Sequence, residues 1–168
     1  MGNKISKWQF WGFVFTSALG TALHFLYDLA GGSPIAALIS ATNESVWEHL
    51  KLIFFPMLVY ALIEYKYWGR EAEHFWNIKS RGIASALILI PVIYYTILGV
   101  VGSSPDIVNI LIFYVVAAIS YIYENRLFKN VSRFLLPKWA VIAILCAIAL
   151  MFFVFSFLPP DIGIFREP

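Results

Sequence analysis

The chain has 168 residues, 61% hydrophobic, 18% aromatic and only 13% charged, with a mean hydropathy of +0.78. A soluble domain carries roughly a quarter charged residues, so a water-soluble globule is excluded and an integral membrane protein is indicated. The formal net charge of +2 does not suggest a nucleic-acid partner, because Lys and Arg flank apolar runs instead of forming a stripe on one face. The single Cys146 permits no disulfide within the chain.

The apolar residues gather into runs of about twenty, the length an α-helix needs to cross a bilayer. Five such spans are predicted: Trp8 to Leu29, Val46 to Tyr67, Ile83 to Val101, Asp106 to Tyr123 and Trp139 to Leu158. The expected fold class is all-α, a polytopic membrane helix bundle forming a single domain over 1–168. Its expected location is the cell (cytoplasmic) membrane, with the lipid bilayer as partner and a homo-oligomer or larger membrane complex as a further partner. An odd span count without an internal repeat counts against the alternating-access folds built from repeated halves.

Lys4 and Lys7 precede the first span. Lys66, Arg70, Lys79 and Arg81 lie between the second and third, and Arg126, Lys129, Arg133 and Lys138 between the fourth and fifth. That places ten of twelve basic residues on one side, with Lys51 and Arg166 on the other. The positive-inside rule then predicts a cytoplasmic N-terminus and an external C-terminus. A signal peptide cleaved near Ala18 is the competing reading of the first run. That run continues to Leu29, however, and carries Ser17, Gly20, Thr21, His24 and Asp28 on one stripe, as a retained helix with a packed inner face would.

Gly31-Gly32 should end the first helix. Ser33 then reads as N-cap and Pro34 as first-turn proline of a short apolar helix, Pro34 to Ala41, too short to span and therefore re-entrant or interfacial. Next comes the most polar stretch of the chain, Thr42-Asn43-Glu44-Ser45-Val46-Trp47-Glu48-His49-Leu50-Lys51. At 100° per residue, Glu44, Glu48 and Lys51 share one arc of the second span, with Ser45 and His49 beside them. Helix one runs outward and helix two returns, so His24 and Asp28 are expected at the depth of Glu44 to His49.

Part of that polarity is ordinary helix chemistry. Ser45 and Glu48 make a capping box, Asn43 or Thr42 is a good N-cap, and acidic residues suit the first turn. Caps do not explain His24 and Asp28 deep in an apolar run, nor His49 beside two carboxylates. An ionisable residue inside a span marks a functional site by default. The expected ligand-binding set is therefore His24, Asp28, Asn43, Glu44, Glu48, His49 and Lys51, open to the outside. His24, Asp28, Glu44, Glu48 and His49 are also the residues able to hold a divalent metal as cofactor.

Three roles fit this cluster. It can bind or transport a small polar ligand, proton or metal ion. It can assist metal-dependent hydrolysis of a lipid or another outer-leaflet substrate. Or the protein can be a structural subunit of a membrane complex. A nucleophilic set of Ser45, His24 or His49, and Asp28 can be drawn, but no nucleophile elbow supports it.

The remaining segments read as anchors and turns. Tyr67, Trp68, Phe75 and Trp76 surround the charges of the first cytoplasmic loop as an aromatic belt, with His74 a solvated residue. Leu127, Phe128, Val131, Phe134 and Leu135, opposed by Arg126, Lys129 and Arg133, read as an interfacial helix. Pro91 marks a kink with Tyr94 and Tyr95 beside it, and Ser103-Ser104-Pro105-Asp106 starts the fourth span with a serine N-cap. The tail from Pro159-Pro160 should fold Ile162, Ile164 and Phe165 back over the outer surface.

The run Asn43 to Leu52, followed by Phe54-Phe55-Pro56, resembles the signature of an uncharacterised family of small multi-pass membrane proteins from bacteria and archaea. The tail Pro159-Pro160 through Phe165 is similar to that family's proline-containing end, with Ile164 where a second proline is expected. The resemblance implies a multi-pass membrane protein with its marked motif at the start of the second long helix, and implies no activity.

Overall fold

A computed structural model of the protein describes residues 2–130 and 135–167. All regular structure among the described residues is helical. Helix α1 is Gly2–Leu29, α2 Pro34–Ala37, α3 Val46–Glu64, α4 Phe75–Val101, α5 Asp106–Lys129 and α6 Lys138–Phe157. A π-helical turn, Tyr65–Gly69, prolongs α3, and a 3-10 turn, Gly163–Phe165, lies in the tail. Five of these are long and apolar enough to cross a membrane: α1, α3 with its π turn, α4, α5 and α6. The protein is a multi-pass membrane helix bundle. Val131, Arg133 and Phe134 of the expected interfacial helix lie outside the described residues.

Helix α3 is the axis of the bundle. It packs against α1 on one side and α4 on the other, and α5 closes the group by packing on both α1 and α4. Helix α6 lies against α4 and α3. Ile53, Phe54, Met57 and Ala61 of α3 are wholly buried, and α4 and α5 add Ile83, Ala86, Val116 and Ala117. Lipid-facing residues such as Leu62, Ile88, Val115 and Leu150 are left exposed on the outer surface, as expected where the surrounding solvent is hydrocarbon.

Small residues decide how closely the helices approach. Gln9, Gly12, Thr16, Gly20 and Leu23 form the buried face of α1. A Cβ on Gly12 would overlap the rings of Tyr60 and Tyr121, and one on Gly20 would lie 2.5 Å from the Leu52 carbonyl. The stripe read from the sequence, Ser17 to Asp28, is offset from this face: Thr21 and Asp28 are exposed, and Ser17 and His24 are partly buried on the flank. Gly20 is the residue common to both. The reason is that α1 packs on two helices, so its tightest contact follows the smallest residues and not the most polar ones.

Several local expectations change. Gly31 and Gly32 do end α1, with φ of 62° and 74°. Ser33, however, makes no side-chain cap on α2, which is a single turn. Helix α5 begins at Asp106 behind Pro105, again without a serine cap, and Ser104 instead bonds Asn109 at 2.5 Å. Helix α4 starts at Phe75, eight residues earlier than the expected span. The supposed aromatic belt is interior there: Trp68, Phe75 and Trp76 are buried, with Trp68 edge-on to Phe75 and Phe128. Tyr67 alone of the four is exposed. These rings can leave the interface because the π turn carries Trp68 inward over α4.

Candidate functional site

The second long helix begins one residue after Ser45, whose backbone is extended and whose hydroxyl accepts from the Glu48 amide at 3.4 Å. Asn43 Oδ1 in turn accepts from the Ser45 amide at 3.0 Å. Residues 42–45 are therefore a capped bend, and the 100° rotation per residue does not extend back to Glu44. The expected polar cluster falls into two groups on different sides of the start of α3.

Glu48 and Lys51 face inward. Glu48 is 2% exposed and Lys51 fully buried, and they form an ion pair one turn apart at 2.5 Å. Glu48 Oε2 also accepts from the amide and hydroxyl of Thr42, both at 2.9 Å. Lys51 Nζ donates to the Ala37 carbonyl and to Ser156 Oγ, both at 2.8 Å. Each charge is paired and hydrogen-bonded, which is what allows it to be buried. The pair joins α3 to the chain after α2 and to α6. Beside it, Trp47 packs on Phe152 and Phe155 of α6 and on Phe165 of the tail, the last at 4.7 Å.

Glu44 and His49 face the other way, and His24 of α1 meets them. The rings of His24 and His49 are 5.3 Å apart. His49 Nε2 lies 3.4 Å from Glu44 Oε2. His49 Nδ1 is 2.9 Å from the Ser45 carbonyl, which can only accept, so Nδ1 carries the proton. In a neutral ring that leaves Nε2 as a lone pair aimed at a carboxylate. His24 Nδ1 is buried with no hydrogen-bond partner. One ligand atom from each of His24, Glu44 and His49 lies within 4.8 Å of the others. Around a tetrahedral zinc ion such atoms stand roughly 3.4 Å apart, the spacing His49 and Glu44 already have. Glu44 stands on the bend with a 66% exposed side chain.

The three residues line one wall of a cavity of about 680 Å³ between α1, the start of α3, α4 and α5. Thr21, Phe25, Ile90, Tyr94, Ile112, Phe113 and Tyr114 supply much of the lining, and Ser104, Asp106 and Asn109 give it polar groups from the start of α5. Thr21 and Tyr114 share a 2.8 Å hydrogen bond across the α1–α5 contact. Mostly apolar walls with a few converging polar groups are the usual make-up of a ligand site. Of the seven residues singled out from the sequence, His24, Glu44 and His49 line this cavity. Asn43 holds the bend, Glu48 and Lys51 form the buried pair behind it, and Asp28 is exposed on the last turn of α1.

A second polar group was not singled out from the sequence. Lys79 of α4, counted there among loop residues, is fully buried between Glu64 of α3 and Glu124 of α5, each 2.5 Å from its Nζ. Gln9 of α1 donates to Glu64 Oε1 at 2.9 Å, and the Tyr60 and Tyr121 rings flank the ammonium. The available signal was Glu64, a carboxylate inside the second apolar run.

No curated protein and no solved structure shows significant similarity to the chain. The chain matches the model of DUF6512, a family of unknown function, over residues 1–168. With the whole length matched, the chain belongs to the DUF6512 family.

Proposed function

We propose that the protein binds a divalent transition-metal ion through His24, Glu44 and His49, and that the bound ion faces a cavity open on the external side of the cell membrane. The observation that carries this is the facing of His49 Nε2 and a Glu44 carboxylate oxygen at 3.4 Å, with a His24 ligand atom within 4.8 Å of both. Lone pairs of that kind repel unless a cation, a metal ion or a proton on Nε2, lies between them. Imidazole and carboxylate together suit zinc and its neighbours. The hydrogen bond from His49 Nδ1 to a backbone carbonyl is the outer support that fixes a ligating histidine's tautomer.

External placement rests on the basic residues. With Lys79 and Lys51 buried, nine of the original ten remain on the cytoplasmic side against Arg166 alone on the other. The cavity would then lie at the outer end of α1, where a small polar ligand or the ion itself enters.

A hydrolytic role is the second reading, favoured by the size and apolar walls of the cavity. Three protein ligands with an open position are the arrangement of catalytic zinc sites, where the metal activates a water. The substrate would be an outer-leaflet lipid.

The test is zinc binding by purified protein, stripped with chelator and titrated in detergent. One zinc per chain is expected, lost in His24→Ala, Glu44→Gln and His49→Gln and retained in Glu48→Gln and Lys51→Met. Absence of binding, or retention in all three cavity variants, would overturn the assignment. Zinc-dependent release of fatty acid from phospholipid vesicles would select the hydrolytic reading.

A further inference from the structure

Away from the cavity, Lys79 stands between two carboxylates. Lys79, Glu64 and Glu124 are each 0% exposed, within helices that span the membrane. If all three were ionised the group would carry a net negative charge in a low-dielectric interior, where an uncompensated charge is costly. Two carboxylates that share one site do not both ionise readily.

The hydrogen bonds point the same way. Glu124 Oε1 and Gln9 Oε1 are buried acceptors without a donor, and Glu64 Oε2 has only its ion contact with Lys79. The nearby hydroxyls are committed elsewhere. Tyr60 donates to the Trp8 carbonyl at 2.8 Å, and Tyr121 pairs with Thr16 at 2.8 Å. The next basic residue along α4, Arg81, falls about 200° round the helix from Lys79. A proton held on one carboxyl would supply a donor among these acceptors. Gly82 packs directly on the Glu124 carboxyl, so closely that a methyl group there would collide with Oε1.

We infer that Glu64 and Glu124 share one proton about Lys79, making the group an intramembrane proton-binding site. The groups that set its charge are Glu64 and Tyr60 from α3, Lys79 from α4, and Tyr121 and Glu124 from α5, with neutral Gln9 from α1. A carboxyl that holds a proton inside the bundle is the component a proton relay requires.

Infrared spectroscopy of the reconstituted protein at neutral pH reads this directly, through the carbonyl stretch of a protonated carboxyl and its shift in D2O. One such carboxyl is expected in the wild-type protein. It should vanish in Glu64→Gln and also in Glu124→Gln, because either substitution leaves one carboxylate neutralised by Lys79. In Lys79→Met, by contrast, two protonated carboxyls are expected. Should that variant fail to accumulate, the two nearly isosteric glutamine variants decide the matter. A wild-type protein without the band, or a band that survives in either glutamine variant, would overturn the inference.

Discussion

His49 and Glu48 are neighbours in the chain with different surroundings. His49 stands at the cavity wall with Nε2 toward Glu44, whereas Glu48 is enclosed with Lys51, Thr42 and Ser156. The two should respond differently to substitution. Removing a ligand costs more than removing the hydrogen-bond partner that orients it, here the Ser45 carbonyl on His49 Nδ1, and loss of such a partner itself costs about 10–100-fold in metal affinity. His49→Gln is therefore expected to weaken zinc binding by more than about 100-fold with little change in thermal stability, as calorimetry and a melting curve would report. Lys51→Met strands a buried carboxylate and should destabilise by about 3–5 kcal/mol. Replacing both Glu48 and Lys51, by Gln and Met, should recover much of that loss in a denaturant titration. An equal loss in single and double variants would mean the pair is not coupled.

Among the elements, α1 and α3 meet through glycine. With 2.5 Å between a Cβ on Gly20 and the Leu52 carbonyl, Gly20→Ala must push the helices apart, at about 1–3 kcal/mol for overpacking a filled contact. Because Gly20 lies one turn before His24, the same displacement should weaken zinc binding, measurable in the same titration. The start of α3 depends on its cap. Ser45→Ala removes the acceptor for the Glu48 amide and should cost about 1 kcal/mol. It should leave the pairing of His49 Nδ1 with the residue-45 carbonyl intact, so zinc affinity should change less than for His49→Gln. The π turn matters at the other end of α3, where it brings Trp68 onto Phe75 and Phe128 and closes the bundle next to Lys79.

For the molecule as a whole, the two polar groups lie toward opposite ends of the bundle, one opening into a cavity and one sealed. Sealed charges joining α3, α4 and α5 hold the helices in register, because no water is present in the bilayer core to take up a broken contact. The cavity end is held instead by the Glu48–Lys51 pair and by Phe165 packed on Trp47. With nine basic residues beside the loops of one side, a reporter fused after Pro168 is expected outside the cell. A cytoplasmic signal would reverse the placement of the cavity.

Composition and run length alone determined the class of protein, because five apolar stretches near the thickness of a bilayer admit few arrangements. The polar stretch from Thr42 to Lys51 and the odd placement of His24 were equally legible, since charge inside a hydrocarbon run stands out without any structure. Which of those side chains share a space was not. Helical periodicity puts Glu44 beside Glu48, but the bend that ends at Ser45 interrupts the period and turns Glu44 toward His49 instead. Lys79 looked like a loop cation because Glu64 and Glu124, the partners that let it be buried, lie 15 and 45 residues away in the chain. Contacts between helices decide such matters. Sequence patterns report the period along one helix, whereas a buried charge is stabilised by whichever neighbouring helix brings its partner within hydrogen-bonding distance.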